Sequence, residues 1–297
     1  MEVIRGHVYT LCPSQEQDHL LSQTAGVVRL VYNLALEQRR TWGGKPYAGG
    51  APRVFGAKRL SRELAELRAL EPWITAVSQT AQNQALIDLD RAYANFFEGR
   101  AGYPRKRKKG QDDNFRQAGR EIAVRRLNRR WSEVRIPKIG WVRYRDTRKL
   151  RAKKDGSIDI RNATISRRPG GGWQISISLR CEIAERPVPS EAVGVDRGVA
   201  VPYALSTGEM IRLPGTVPGL ERALRRAQKK LSRGKRGSRR YAASRARLAK
   251  LKGKLARIRA HAAHVLSRDL AGRFGLVAIQ DLNIRSMTRS ARGTRAA

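Results

Sequence analysis

Sixty-two Lys and Arg residues against 25 Asp and Glu give this 297-residue chain a formal net charge of +37 and a pI near 11.5. A charge of that size repels itself in a compact state, so a nucleic acid is the expected counter-charge. With 40% hydrophobic residues wholesale disorder is excluded, the length suits roughly two domains, and no stretch approaches the ~18 apolar residues of a membrane span.

The start, Met1 to His7, has no apolar secretory segment, which points to the cytoplasm. Residues 2–11 alternate, with Val3, Arg5, His7 and Tyr9 on one face, and predict a strand that ends at Cys12-Pro13-Ser14. Ser14 and Gln17 stand at capping-box spacing. They precede Leu20, Leu21, Thr24, Val27, Val28, Val31, Leu34 and Ala35 at helical intervals. Gly43, Gly44, Gly49, Gly50 and Pro52 predict a loop, and a helix over about 57–70 precedes Pro72. Another helix runs from about Ser78 to Phe97, with Leu86, Leu89, Tyr93 and Phe97 on one stripe that reads as core packing.

Beyond a basic loop over 99–110 the pattern turns to short strands: 133–137, 141–144, 163–167 and 173–179, the last two joined through Pro169-Gly170-Gly171-Gly172. Such a series suggests a small barrel or sandwich. The run 192–201 is an apolar strand interrupted by one carboxylate, Asp196, and 204–209 returns as a hairpin. Two basic helices over roughly 217–232 and 238–271 lead to a last apolar strand, 276–282. Two cysteines, Cys12 and Cys181, exclude a disulfide scaffold and a CxxC zinc ribbon, and read as buried thiols.

The charge is concentrated. Residues 222–259 hold 17 Lys or Arg and no acid, including Lys229, Lys230, Arg236, Arg239 and Arg240. A solvated helix face normally mixes signs, so an acid-free run of this length reads as a phosphate-binding surface. A second cluster follows Tyr103: Pro104, Arg105, Lys106, Arg107, Lys108 and Lys109. Tyr103 suits either base stacking or burial beside Pro104.

Several motifs then align with a known family. They are Gln15-Glu16-Gln17 with Gly26 to Asn33, Gly102-Tyr103-Pro104-Arg105-Lys106, and Ile136-Pro137-Lys138-Ile139-Gly140-Trp141-Val142. Gly194-Val195-Asp196-Arg197-Gly198, the stretch Arg259 to Ser267, and Gln280-Asp281-Leu282-Asn283 followed by Met287 complete the order. Nearly end to end, the chain resembles the transposon-encoded TnpB (OrfB-type) proteins, relatives of the type V CRISPR effectors. The resemblance implies an α+β architecture. A wedge-type small β-barrel takes its first strand from 1–12 and the remainder from 113–188. A helical recognition lobe over 13–112 is inserted between them, and an incomplete RuvC-like (RNase H-fold) α/β domain follows over 189–297. The implied partners are a guide RNA and double-stranded target DNA in a prokaryotic nucleoid, with pairing reading the sequence. Tyr32 and Asn33 fall near where the family contacts DNA, or else serve as core and hydrogen-bonding residues.

The family cuts with two divalent ions held by three acids. Asp196 matches the first, and a charge mid-strand in an apolar run would be costly without a metal or partner. Gln280 stands where the family has Glu, and an amide is a poor ligand for Mg²⁺. The third acid and a zinc ribbon would fall beyond residue 297. Asp281, next along the strand, points to the opposite face, and Glu209, Glu221 and Asp269 offer no rescue. His261 and His264 lack a cysteine partner, so no zinc is expected there; His264 reads as packing or touching phosphate. Mg²⁺ is accordingly not expected to be functionally bound, Asp196 being a vestigial ligand. The expected protein binds guide RNA and DNA without cutting, as a repressor or occluder. A truncated or decayed transposon nuclease, and a general RNA-binding protein, stay open as alternatives.

Overall fold

The computed structural model describes residues 2–42, 56–148, 150, 158–182, 188–198, 203–212 and 218–282. The predicted glycine-rich loop over 43–52 and the motif residues Asn283 and Met287 lie outside them. The chain divides into two compact units, Met1–Ala184 and Glu185–Ala297.

In the first unit, strand β1 (Glu2–Cys12) leads into helix α1 (Gln15–Trp42). The capping box forms: the Gln17 amide N–H donates to Ser14 Oγ at 3.2 Å, and the Ser14 N–H donates to Gln17 Oε1 at 3.1 Å. Leu21, Val28, Ala35 and Leu36 are buried at helical spacing, whereas Leu34, expected on that face, is 46% exposed. Helices α2 (Ala57–Leu70), the short α3 (Pro72–Thr75) and α4 (Gln79–Phe97) follow. Ser78 caps α4 by accepting from the Ala81 N–H.

Six further strands complete a seven-stranded antiparallel sheet: β2 (Asn114–Ala118), β3 (Ala123–Arg126), β4 (Trp131–Ile136), β5 (Gly140–Arg145), β6 (Ile160–Arg167) and β7 (Trp173–Glu182). Their order is β2-β6-β7-β1-β5-β4-β3. β1 joins the halves, pairing with β7 from Glu2 to Thr10 and with β5 at Leu11 and Cys12. The strand over 173–182 alternates buried and half-buried residues along its length, as one covered face demands.

Where a small wedge-type β-barrel is expected, the described residues form not a closed barrel but an open sheet. Its end strands β2 and β3 are joined end to end by a 3₁₀ turn, Gly119–Glu121, rather than paired side by side. That turn packs so tightly on β6 that a Cβ on Gly119 would lie 1.6 Å from the Ile160 carbonyl oxygen. One apolar core unites sheet and helices, with Trp173, Tyr9, Tyr144 and Phe115 its largest fully buried side chains. Cys181 is buried as expected, but Cys12, the last residue of β1, is exposed. No helix among the described residues is long and apolar enough to cross a membrane.

The second unit is a four-stranded mixed sheet of order β10-β9-β8-β11 with a helical hairpin. β8 (Ala192–Asp196), β9 (Tyr203–Leu205) and β10 (Met210–Ile211) form an antiparallel meander. After α5 (Pro218–Ser232) and α6 (Arg239–Arg273), β11 (Leu276–Ile279) returns parallel to β8. Val193, Val195, Leu205, Leu270 and Phe274 form its small core. β8 and the edge strand β11 are each shorter than the apolar runs, 192–201 and 276–282, that announce them.

Candidate nucleic-acid interface

The parallel pairing of β8 and β11 matches Ile279 with Val195, which brings Gln280 beside Asp196 at the carboxyl ends of adjacent strands. In open α/β sheets ligands bind outside such ends. Both residues line one open concavity of about 440 Å³ with Gly194, Ser206 and Ala278. The Gly194 N–H donates to Ser206 Oγ at 3.0 Å, which fixes the floor.

Asp196 ends β8 and is exposed, so water solvates its charge, and the burial cost expected of a mid-strand carboxylate does not arise. β11 stops at Ile279, so the strand alternation invoked to turn Asp281 away does not extend to it. Glu209 and Asp269 are engaged elsewhere. Arg273 Nη2 lies 2.7 Å from Glu209 and Nη1 lies 3.3 Å from Asp269, and these hydrogen bonds raise the guanidinium pKa.

Two divalent ions roughly 4 Å apart need a cluster of carboxylates. Asp196 has an amide as its neighbour, and no group of three His, Cys, Asp or Glu among the described residues is placed to hold a metal. Among the described residues, Asp196 and Gln280 by themselves do not supply the carboxylates of a two-ion centre. His261 and His264 are both exposed on α6, so of the two roles read for His264 the exposed side chain suits contact with phosphate rather than packing.

The cations expected at phosphates fall on two surfaces, one in each unit. In the second unit Lys229 and Lys230 end α5, Arg236 lies in the turn, and Arg239 and Arg240 open α6. All five are exposed and make no ion pair among the described residues. They are therefore free to meet phosphates without first breaking a bond in the protein.

In the first unit the loop after α4 is held rather than loose. Asn33 on α1 clamps the Arg107 backbone: its Oδ1 accepts the Arg107 N–H at 2.8 Å, and its Nδ2 donates to the Arg107 carbonyl at 3.0 Å. The Arg107 guanidinium lies 4.0 Å from the centre of the Tyr32 ring and 3.4 Å from Asp88, and burial pushes its pKa down. Asp112 and Asp113 accept the Lys108 and Gly110 N–H groups at 2.9 Å each. Tyr32, 6% exposed, and Asn33 thus take the packed and hydrogen-bonded role, and Arg107 joins them instead of facing solvent.

Lys106 reaches Glu37 at 2.5 Å, and its hydrogen bond holds that carboxyl below the usual range. Arg105 and Lys108 remain exposed without an ion pair among the described residues, as does Lys109. The result is a rigid backbone presenting free cations, which lowers the ordering cost of binding. Removing the clamp with Asn33→Ala leaves two partly buried backbone groups unpaired. The expected loss is about 1–3 kcal/mol, a fall in Tm of about 2–10 °C by differential scanning fluorimetry.

Tyr103 is 49% exposed and belongs to an aromatic group. Its ring meets Tyr93 and Phe96 edge-on at centroid distances of 5.7 and 5.2 Å, and its hydroxyl lies 3.0 Å from that of Tyr93.

The described residues thus present a strand-end acid beside an amide in the second unit and exposed cations on each unit. Sequence comparison supplies the family. A profile described as "Probable transposase" matches residues 175–291, and one described as "Helix-turn-helix domain" matches 1–43, whose described residues include β1 and the single helix α1. RNA-guided DNA endonuclease InsQ of Escherichia coli K12 is 29% identical over 296 residues, covering 99% of this chain and 70% of that protein. An RNA-guided DNA endonuclease of Streptomyces pristinaespiralis is 31% identical over 298 residues, covering 99% of this chain and 71% of the relative. A relative from Mycobacterium tuberculosis H37Rv with the same type of name is 25% identical over 314 residues. The chain belongs to the TnpB (OrfB-type) family.

Proposed function

We propose that this chain is an RNA-guided DNA-binding protein that occupies its target without cutting it, and so represses or occludes it. The observation that carries this reading is Gln280, an amide at the strand end beside Asp196, in a second unit read as RuvC-like. A carboxamide contributes no charge, and the acids Glu209 and Asp269 are already held by Arg273. The cationic surfaces keep exposed Lys and Arg side chains without ion pairs among the described residues. Guide RNA supplies the sequence-reading strand, the cations of the α5–α6 turn follow its phosphates, and the clamped loop grips nucleic-acid backbone in the first unit.

The names of the relatives favour a second reading, an active RNA-guided endonuclease. Sequencing the RNA that copurifies with the protein tests the guidance that both readings share. The expected result is one discrete transposon-end RNA with a 3′ guide segment. Bulk ribosomal fragments alone contradict guidance and favour general RNA binding.

A further inference from the structure

Phe97 ends α4 on the stripe that begins with Leu86 and Leu89, and its spacing predicts burial. Those two leucines are 2% and 0% exposed, yet Phe97 is 78% exposed. It is not a stray apolar residue. Its ring lies 6.2 Å from Tyr93 at 26° and 5.4 Å from Phe96 at 59°, and both of those rings contact Tyr103. Four aromatic rings thus form one group, half-buried at Tyr93 and Phe96 and open at Phe97. Arg39 adds a cation 5.0 Å from the centre of the Tyr93 ring.

The surroundings identify the occupant by charge. Tyr103 is two residues before Arg105, so the basic loop leaves the aromatic group within about 7 Å of chain. Glu98, the residue after Phe97, is paired with Arg100, so the unpaired charge that a protein partner with an apolar face would meet near the group is the cation of Arg105. An unpaired nucleotide offers what both parts need, a base for the ring and a phosphate for the loop.

We infer that Phe97 is a base-stacking platform for single-stranded nucleic acid, supported from behind by Tyr93, Phe96 and Tyr103. Phe97 supplies the open face. Tyr103, with its edge contacts and hydroxyl bond already made, braces the group. This rests on the nucleic-acid-binding reading above. The nucleotide comes from an unpaired part of the guide RNA or from the displaced DNA strand, and the chemistry at the ring is the same.

The test uses the full chain and two single-stranded oligonucleotides of one sequence, RNA and DNA, with abasic versions of each. Phe97→Ala is expected to weaken binding of at least one strand by about tenfold, with the salt slope unchanged because no phosphate contact is lost. Phe97→Trp is expected to keep the affinity, and the abasic oligonucleotide to lose the difference between native protein and Phe97→Ala. The strand showing the larger loss identifies the source. Equal affinities of native protein and Phe97→Ala for both intact strands overturn the inference. So does an equal loss on the abasic strands. Failure of the native protein to bind any single strand contradicts the underlying reading instead.

Discussion

Replacing Lys229, Lys230, Arg236, Arg239 and Arg240 together by glutamine lowers affinity for single-stranded RNA by about 10³-fold at ~0.1 M salt. Each phosphate contact to a single strand releases about 0.7 of a counterion, so five lost contacts also flatten the log–log salt slope by about 3–4. The five side chains are exposed and unpaired among the described residues, so the fold loses little with them. Affinity measured across a salt series separates the two effects. A drop without a change of slope would mean that these residues act by shaping the hairpin and not by touching phosphate. The chain keeps most of its +37 after the change, so residual non-specific binding is expected.

The second large effect is on stability. Gly119→Ala places a methyl carbon 1.6 Å from the Ile160 carbonyl oxygen and 2.4 Å from its carbon, where ordinary contact begins near 3.4 Å. Both obstacles are backbone, so relief requires shifting the turn or β6, beside the register irregularity between Ile160 and Asn162. The expected cost is about 4 kcal/mol or more, a large share of a domain's total. Gly102→Ala is the control: nothing lies within 4 Å of its added Cβ, and its change in stability is expected to stay within about 0.5 kcal/mol. Denaturant melts of both variants check the pair.

What the sequence disclosed follows from how local each signal is. The capping box at Ser14 and Gln17, the start of α4 at Ser78 and the strand over 173–182 are written in neighbouring residues, and each formed in place. β2 and β3 escaped notice because segments of five and four residues, with Arg116, Arg125 and Arg126 among them, carry too little alternation. The open edge between them depends on Gly119 meeting Ile160, a contact no periodicity encodes.

The site divides the same way. Asp196 and Gln280 stand out in sequence as an acid and an amide in apolar runs, and the strand register brings them together. The exposure of Asp196 was hidden because the apolar run outlasts the strand that it predicts. The clamp of Asn33 on Arg107 joins residues 74 positions apart and left no local trace. Phe97 misled in the opposite sense: helical spacing assigned it to a core that ends one turn earlier, at Tyr93. Periodicity reports which face a residue occupies, and only packing reports whether anything covers that face.

The central claim is binding without cutting. It is tested most directly by incubating the protein and its copurified RNA with a matched DNA duplex in Mg²⁺. Intact DNA in a shifted complex is the expected result, because Asp196 beside the uncharged Gln280 amide does not supply the carboxylate pair that two ions share. Guide-dependent cleavage of the matched duplex by the native chain would contradict it.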